Sequence, residues 1–162
     1  MARRVFFSFH YANDVKRANV VRNSWVTQGK ESAGFVDKAE FEKVLKKGDK
    51  AVEDWIDKQL NNTSVTVVLI GTETLNRPYV QYEICQSINR GNAIVGVTIH
   101  NIKDMNTLAT ASAGTIRTVI GTRGDKNIYF DDIVDGIYDY INNDGYSNLG
   151  SWIEAAAKKH NK

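Results

Sequence analysis

Val65-Thr-Val-Val-Leu-Ile70, ending at Gly71, and Ala93-Ile-Val-Gly-Val-Thr-Ile99 bracket a polar turn, Pro78 and a helical pattern that carries Glu83. Uninterrupted apolar runs of this length are what strands buried on both faces look like. A helix between two such strands makes a right-handed parallel crossover. Ligands of such sheets bind at the carboxyl ends of the strands. Glu83 lies early in the helix that leaves that edge, so one carboxylate is aimed at the place where small molecules bind.

Working outward, strand and helix patterns alternate. Val5-Phe-Phe-Ser-Phe9 predicts a first strand. Asn13 or Asp14 can cap a helix to about Gln28, with Val15, Ala18, Val21, Trp25 and Val26 on or near one face. Ala33-Gly-Phe-Val-Asp37 predicts a short second strand, and residues 38–47 are amphipathic. Val52, Trp55, Ile56 and Leu60 mark a helix over Asp49–Leu60. Thr, Ala, Ser and Gly dominate 101–125, which reads as a partly ordered excursion. Asn127-Ile-Tyr-Phe130 predicts a last short strand. Asp131 or Asp132 then caps a helix to about Asn142 that buries Ile133, Ile137, Tyr138 and Ile141, and after a turn at 143–146 a terminal helix runs from Ser151 to His160. The pattern is α/β, a mainly parallel sheet of about five strands flanked by helices, in a single domain over 1–162.

Composition limits what the domain can be. Apolar content of 42% and charged content of 25% are ordinary for a globular protein. The net charge is only +2, with Lys and Arg interleaved among 19 acids, which argues against nucleic acid as a partner. No apolar run approaches the roughly 20 residues that span a bilayer, so no membrane partner is expected. The start, Met-Ala-Arg-Arg-Val-Phe-Phe-Ser8, lacks the apolar stretch of a signal peptide. The single cysteine excludes an intramolecular disulfide and suits a reducing compartment. A soluble cytoplasmic domain is the expectation.

Several common occupants of this architecture lack their motifs here. A dinucleotide fingerprint needs Gly-x-Gly-x-x-Gly after the first strand, where the chain has Ser8-Phe-His-Tyr-Ala-Asn-Asp14. There is no phosphate-binding Gly-x-x-x-x-Gly-Lys-Ser/Thr loop. Phe9, His10 and Tyr11 stand where a flavin phosphate loop needs small residues. A phospho-acceptor receiver needs acids where Phe9-His10 and Ile70-Gly71 occur. His10, His100 and His160 are far apart and none has a second ligand at i+3 or i+4, so no metal site is expected. Cys85 reads as inert packing rather than a nucleophile.

Glu83 itself admits two readings. Val80, Ile84, Ser87, Ile88 and Gly91 form the sheet-facing stripe, and Glu83 lies roughly 80–100° from its centre. It stands roughly 8–10 Å from the helix start at about 1.5 Å per residue. An ordinary flanking carboxylate near a helix N-terminus satisfies this as well as an active-site acid does.

Four segments carry a more specific resemblance: Val5-Phe-Phe-Ser-Phe-His-Tyr11, Ser64-Val-Thr-Val-Val-Leu-Ile-Gly71, Arg77-Pro-Tyr-Val-Gln-Tyr-Glu-Ile84 and Gly91-Asn-Ala-Ile-Val-Gly-Val97. In this order and spacing they are similar to the TIR-like domains of bacterial antiphage defence, including those of Thoeris systems. Tyr138-Asp-Tyr-Ile-Asn-Asn-Asp-Gly-Tyr146 with Ser151-Trp-Ile153 resembles the end of such domains. The resemblance covers residues 3–100 and about 136–153. The usual Ser-x-Trp-Cys-x-x-Glu becomes Arg77-Pro-Tyr-Val-Gln-Tyr-Glu83, which keeps an aromatic four residues before the acid but loses Trp and Cys. Asp37-Lys-Ala-Glu-Phe-Glu42 lacks the Pro-Gly loop of receptor-type TIR domains.

The resemblance implies a TIR-like, flavodoxin-like fold and an enzyme that cleaves NAD at the nicotinamide–ribose bond. NAD is then a substrate, and no cofactor is needed. Glu83 matches the catalytic glutamate, and Phe6, Ser8, Phe9, His10 and Tyr11 match the strand-end segment bordering the nucleotide pocket. Phe6, Phe9, Tyr11 and Tyr79 would wall it, Ser8 would bond a ribose or phosphate, and His10 would position a substrate group. Asp37 would touch the adenosine half, and Arg77 would meet the pyrophosphate. The plainer readings stay open: Phe7 or Phe9 as core, Ser8 as a structural hydroxyl, His10 as incidental, Asp37 as a helix cap, Arg77 as solvated, and Trp55 and Trp152 as packing. The implied product is a cyclic ADP-ribose-type signal, made in response to an unidentified phage trigger, that activates a separate effector protein. Self-association is left open. The alternative is a non-catalytic TIR-like interaction module.

Overall fold

The computed structural model describes residues 4–27, 32–33 and 43–162. Five parallel strands form one sheet: β1 (Val5–Ser8), β2 (Ser32–Ala33), β3 (Val65–Ile70), β4 (Ala93–Thr98) and β7 (Gly136–Asp139), in the order β2-β1-β3-β4-β7. Three long helices connect them, α1 (Tyr11–Thr27), α2 (Asp49–Leu60) and α3 (Pro78–Asn89), and α5 (Gly145–Lys159) closes the chain. The TIR-like α/β architecture is therefore present.

Alternation along the strands divides the core between the two faces. Val5, Phe7, Val65, Val67, Leu69, Ala93, Val95 and Val97 pack against Ala18, Val21 and Trp25 of α1 and Leu149, Ile153, Ala156 and Ala157 of α5. Val68, Ile70 and Ile94 meet Val80 and Ile84 of α3 on the other face. Phe6 is packed there against Val52, Ile56 and Leu60 of α2. Thr66, the buried polar residue of β3, is satisfied by Ser87 of α3 at 2.6 Å.

The C-terminal third departs from the sequence expectation. The main sheet's fifth strand is Gly136–Asp139, not Asn127–Phe130, and no helix spans 131–142. Instead β5 (Val119–Arg123) and β6 (Lys126–Tyr129) form a separate antiparallel hairpin, followed by a single turn, α4 (Phe130–Ile133). Ile133, Ile137 and Tyr138 mimic helical spacing, but the 139–143 turn fixes a strand end: Asp139 N–H donates to Asn143 Oδ1 at 2.7 Å. Ile141 is consequently 51% exposed rather than buried. The last helix starts at Gly145, six residues before expectation, because Asp144 caps it, accepting from Ser147 N–H. Gly145 is required there, since a side chain would strike the Tyr140 ring. Within 101–118 the excursion is held down by Arg17, which donates to the Ile102 and Ala109 carbonyls at 2.7 and 3.1 Å.

α1 also starts earlier than expected. Its first turn begins at Tyr11, so neither Asn13 nor Asp14 is its cap. Asn13 instead donates to Glu73, and Asp14 is buried. The proposed second strand is described only at Ser32–Ala33. The remainder, with Asp37, lies outside the described residues.

Candidate functional site

From β1 the sheet order runs outward to β2 on one side and through β3 to β4 and β7 on the other. The direction of winding reverses between β1 and β3, and at such a switch point the connections diverge and leave a crevice at the carboxyl edge. A cavity of about 270 Å³ opens there. Its walls come from the segment after β1 (Phe9, His10, Tyr11), from the start of α3 (Arg77, Tyr79, Glu83), and from α2 (Val52, Trp55, Ile56).

Local chemistry sets the α3 wall. Arg77 is extended, with φ −87° and ψ 129°, as a residue before proline must be, and Pro78 then begins the helix where its missing N–H costs nothing. Tyr79 and Glu83, four residues apart, share a helix face. Val80, Ile84 and Ser87 turn to the sheet, and Glu83 flanks them and reaches the cavity. Burial pushes its carboxyl well above the usual range, and the neighbouring Ser8 hydroxyl works in the opposite direction. Ser8 is fully buried, and among the described residues its Oγ lacks a well-formed hydrogen bond. Its influence on Glu83 is therefore one of proximity. Among the described residues Glu83 has no salt-bridge partner.

A polar rim lies beside this acid. Arg77 is paired with Glu73 at 2.8 Å, and Asn13 donates to the same carboxylate oxygen at 2.9 Å. Burial lowers the pKa of His10, and the nearby Arg77 guanidinium lowers it further, so the imidazole is neutral at pH about 7. Among the described residues, His10 Nδ1 and Arg77 Nε are both buried without a partner. The site thus combines apolar walls, one carboxyl whose charged form is disfavoured by burial, and unpartnered nitrogens of His10 and Arg77 at its edge.

The family model for the TIR-like domain of the Thoeris protein ThsB matches residues 6–104. The chain belongs to this family. A Bacillus cereus (strain MSX-D12) protein named "Putative cyclic ADP-D-ribose synthase ThsB1" is 52% identical over 106 residues, which are 64% of this chain and 55% of that protein. The chain spans little more than half the length of that relative.

In this ThsB-family domain Phe9, His10, Tyr11, Arg77, Tyr79 and Glu83 come together around one cavity. Phe6 does not: it is 1% exposed and packed under α2. Ser8 is adjacent to Glu83 but is not on the cavity wall. Sequence reasoning missed the α2 wall, including Trp55, and Leu45, because apolar residues at helical spacing look the same whether they face core or cavity. Cys85 is half-buried, its thiol donates to the Ile120 carbonyl at 3.4 Å, and burial pushes its pKa up, which is packing behaviour. Among the described residues no three His, Cys, Asp or Glu side chains converge as metal ligands would, and no helix is long and apolar enough to cross a membrane.

Proposed function

We propose that this domain cleaves NAD at the nicotinamide–ribose bond and releases a cyclic ADP-ribose-type nucleotide that activates a separate effector during phage infection. The observation that carries this reading is Glu83, an acid without an ion pair among the described residues, on the wall of an aromatic cavity at the switch point. The name of the Bacillus cereus relative points the same way. A structural role in a non-catalytic interaction module would predict a carboxylate tied up by a cation.

The chemistry needs little beyond one carboxylate. Nicotinamide leaves as a neutral base from a pyridinium, so departure requires no general acid. Positive charge grows on the ribose, and a carboxylate held close in an apolar site stabilises it strongly. The positive nicotinamide ring would itself favour ionised Glu83, since an opposite charge at close range lowers a carboxyl pKa. Substrate binding thereby prepares the acid. About 270 Å³ lies just below the roughly 300–1,000 Å³ of drug-sized ligand sites. We therefore assign the nicotinamide–ribose end to the cavity, with the phosphates outside near His10 and Arg77. Phe9, Tyr11 and Trp55 would keep water from the ribosyl cation. A nucleophile of the same nucleotide then captures C1 and loses its proton, closing the ring, whereas capture by water gives ADP-ribose.

The test is nicotinamide release from NAD, by purified protein and by lysate of infected cells, for wild type and Glu83→Gln. Loss of about 10²- to 10³-fold is expected, the scale of removing one electrostatic stabiliser. Equal activity in the two, or none in either under infected conditions, refutes the proposal.

A further inference from the structure

Asp14 plays no part in the chemistry proposed above, yet it is a carboxylate only 5% exposed. Burying such a group costs free energy unless it is bonded. Its bonds join two segments of chain. Thr74 Oγ1 donates to Asp14 Oδ2 at 3.0 Å and accepts from Gly71 N–H at 2.7 Å. Thr74 is fully buried. The Asp14 carboxyl also lies against the Gly71 Cα, where an added methyl would come within 2.5 Å of both oxygens. The end of β3, the turn that follows and the first turn of α1 are thus pinned at one point.

Both cavity walls start from that point. Thr74 C=O accepts from Arg77 N–H at 3.1 Å, closing the turn that delivers Arg77, Pro78 and Tyr79 to the cavity. On the other side, Asp14 N–H donates to the His10 carbonyl at 2.9 Å, and His10 lines the opposite wall. Asp14 therefore links the two walls, through its main chain to His10 and through its buried carboxyl to Thr74. Burial raises the Asp14 pKa while the Thr74 bond opposes it, so the group is held at a cost that a simple helix cap would not incur.

We propose that Asp14 is a positioning residue, which through Thr74 and Gly71 fixes the 71–77 turn and so sets the spacing between the His10 and Glu83 walls. The catalytic part of this inference rests on the NAD-cleaving reading, and the structural part does not.

Two measurements on wild type, Asp14→Ala, Asp14→Asn and Thr74→Val test it: kcat and KM for NAD cleavage, and amide hydrogen exchange across 71–79 without NAD. Asp14→Ala and Thr74→Val are expected to lower kcat about 10- to 100-fold, the effect of a small misplacement. Both should speed exchange across the turn, and the double variant should be no worse than either single one. Asp14→Asn keeps an oxygen for Thr74 and should retain most activity and protection. The proposal is overturned if folded Asp14→Ala leaves either kcat or turn exchange unchanged, or if Asn fails as completely as Ala. Should Asp14→Ala not fold, Thr74→Val decides alone, since Val fills the same volume without the hydroxyl. If wild type and Glu83→Gln release no nicotinamide even in infected lysate, the NAD reading falls and the exchange data still decide whether Asp14 pins the turn.

Discussion

The Tyr79 hydroxyl donates to Asp49 Oδ1 at 2.7 Å, fastening the first turn of α3 to the first residue of α2 across the cavity. That bond joins the wall carrying Glu83 to the wall carrying Trp55. Its acceptor holds the phenol neutral by raising its pKa further. Tyr79→Phe keeps the ring and loses the bond. Because the pair is exposed, we expect a loss of about 0.5 kcal/mol, read as a ~2-fold rise in KM for NAD. Tyr79→Ala, which also removes the wall, should do more. Equal damage from both would mean the ring contributes nothing.

Ser8 and Glu83 predict a pH signature. Burial raises the Glu83 pKa and Ser8 opposes the rise. If cleavage needs the ionised acid, activity falls as pH drops through that raised value. Ser8→Ala removes the opposing group, so the acidic limb of the kcat/KM profile should move to higher pH. An unmoved limb with a raised KM would instead make Ser8 a substrate contact.

Stability should carry the same acid's imprint with a definite sign. A carboxyl with a raised folded pKa contributes stability that is complete below its unfolded value of 4.5 and lost as pH rises through the folded one. Glu83→Gln removes that loss. We expect the variant to be more stable than wild type in urea unfolding at neutral pH, with the advantage vanishing below about pH 4.5. A variant less stable at neutral pH would contradict the description of Glu83 as a strained buried acid.

How far the residues alone disclosed this site depends on which face each must satisfy. Val65–Ile70 was legible to the residue because burial on both faces leaves a run that is apolar but for Thr66, whose hydroxyl is satisfied by Ser87. Asp49–Leu60 was equally clear from one apolar stripe, yet the same stripe concealed that Val52, Trp55 and Ile56 also line a cavity. Gly136–Asp139 was misread because it is a short, half-buried edge strand, and two-sided burial is the signal it lacks. Asp14 resembled a helix cap because an acid at a helix start says nothing of what lies over it. The partner that buries it, Thr74, is 60 residues away.

Phe6 separates core from substrate contact. It matches the strand-end segment of the family but packs behind Val52 and Ile56, which line the cavity, without lining it itself. Phe6→Ala should cost about 3–5 kcal/mol in denaturant unfolding. Phe6→Leu should cost less than about 1.5 kcal/mol and leave KM for NAD unchanged. A well-folded Phe6→Leu with a raised KM would return Phe6 to the binding site.

Asp139 explains why the chain turns where a helix was expected. Its carboxylate accepts from Thr98 Oγ1 at 2.8 Å, Asn101 Nδ2 at 2.9 Å, Ile141 N–H at 3.0 Å and Asn142 N–H at 2.8 Å. Burial alone would raise its pKa, but these donors outweigh burial and hold it below the usual value of 3.8. A depressed carboxyl contributes stability that is present above the unfolded pKa and lost as pH falls through the folded one. Asp139→Ala leaves several donors without an acceptor. Because the carboxyl is partly exposed and its backbone donors are exposed, the expected cost at pH about 7 is on the order of 1 kcal/mol. Urea unfolding at about pH 7 and about pH 3 checks this, because the gap between wild type and variant must narrow in acid. A gap of the same size at both would mean that the charge does not hold the end of β7, and that the turn forms for another reason.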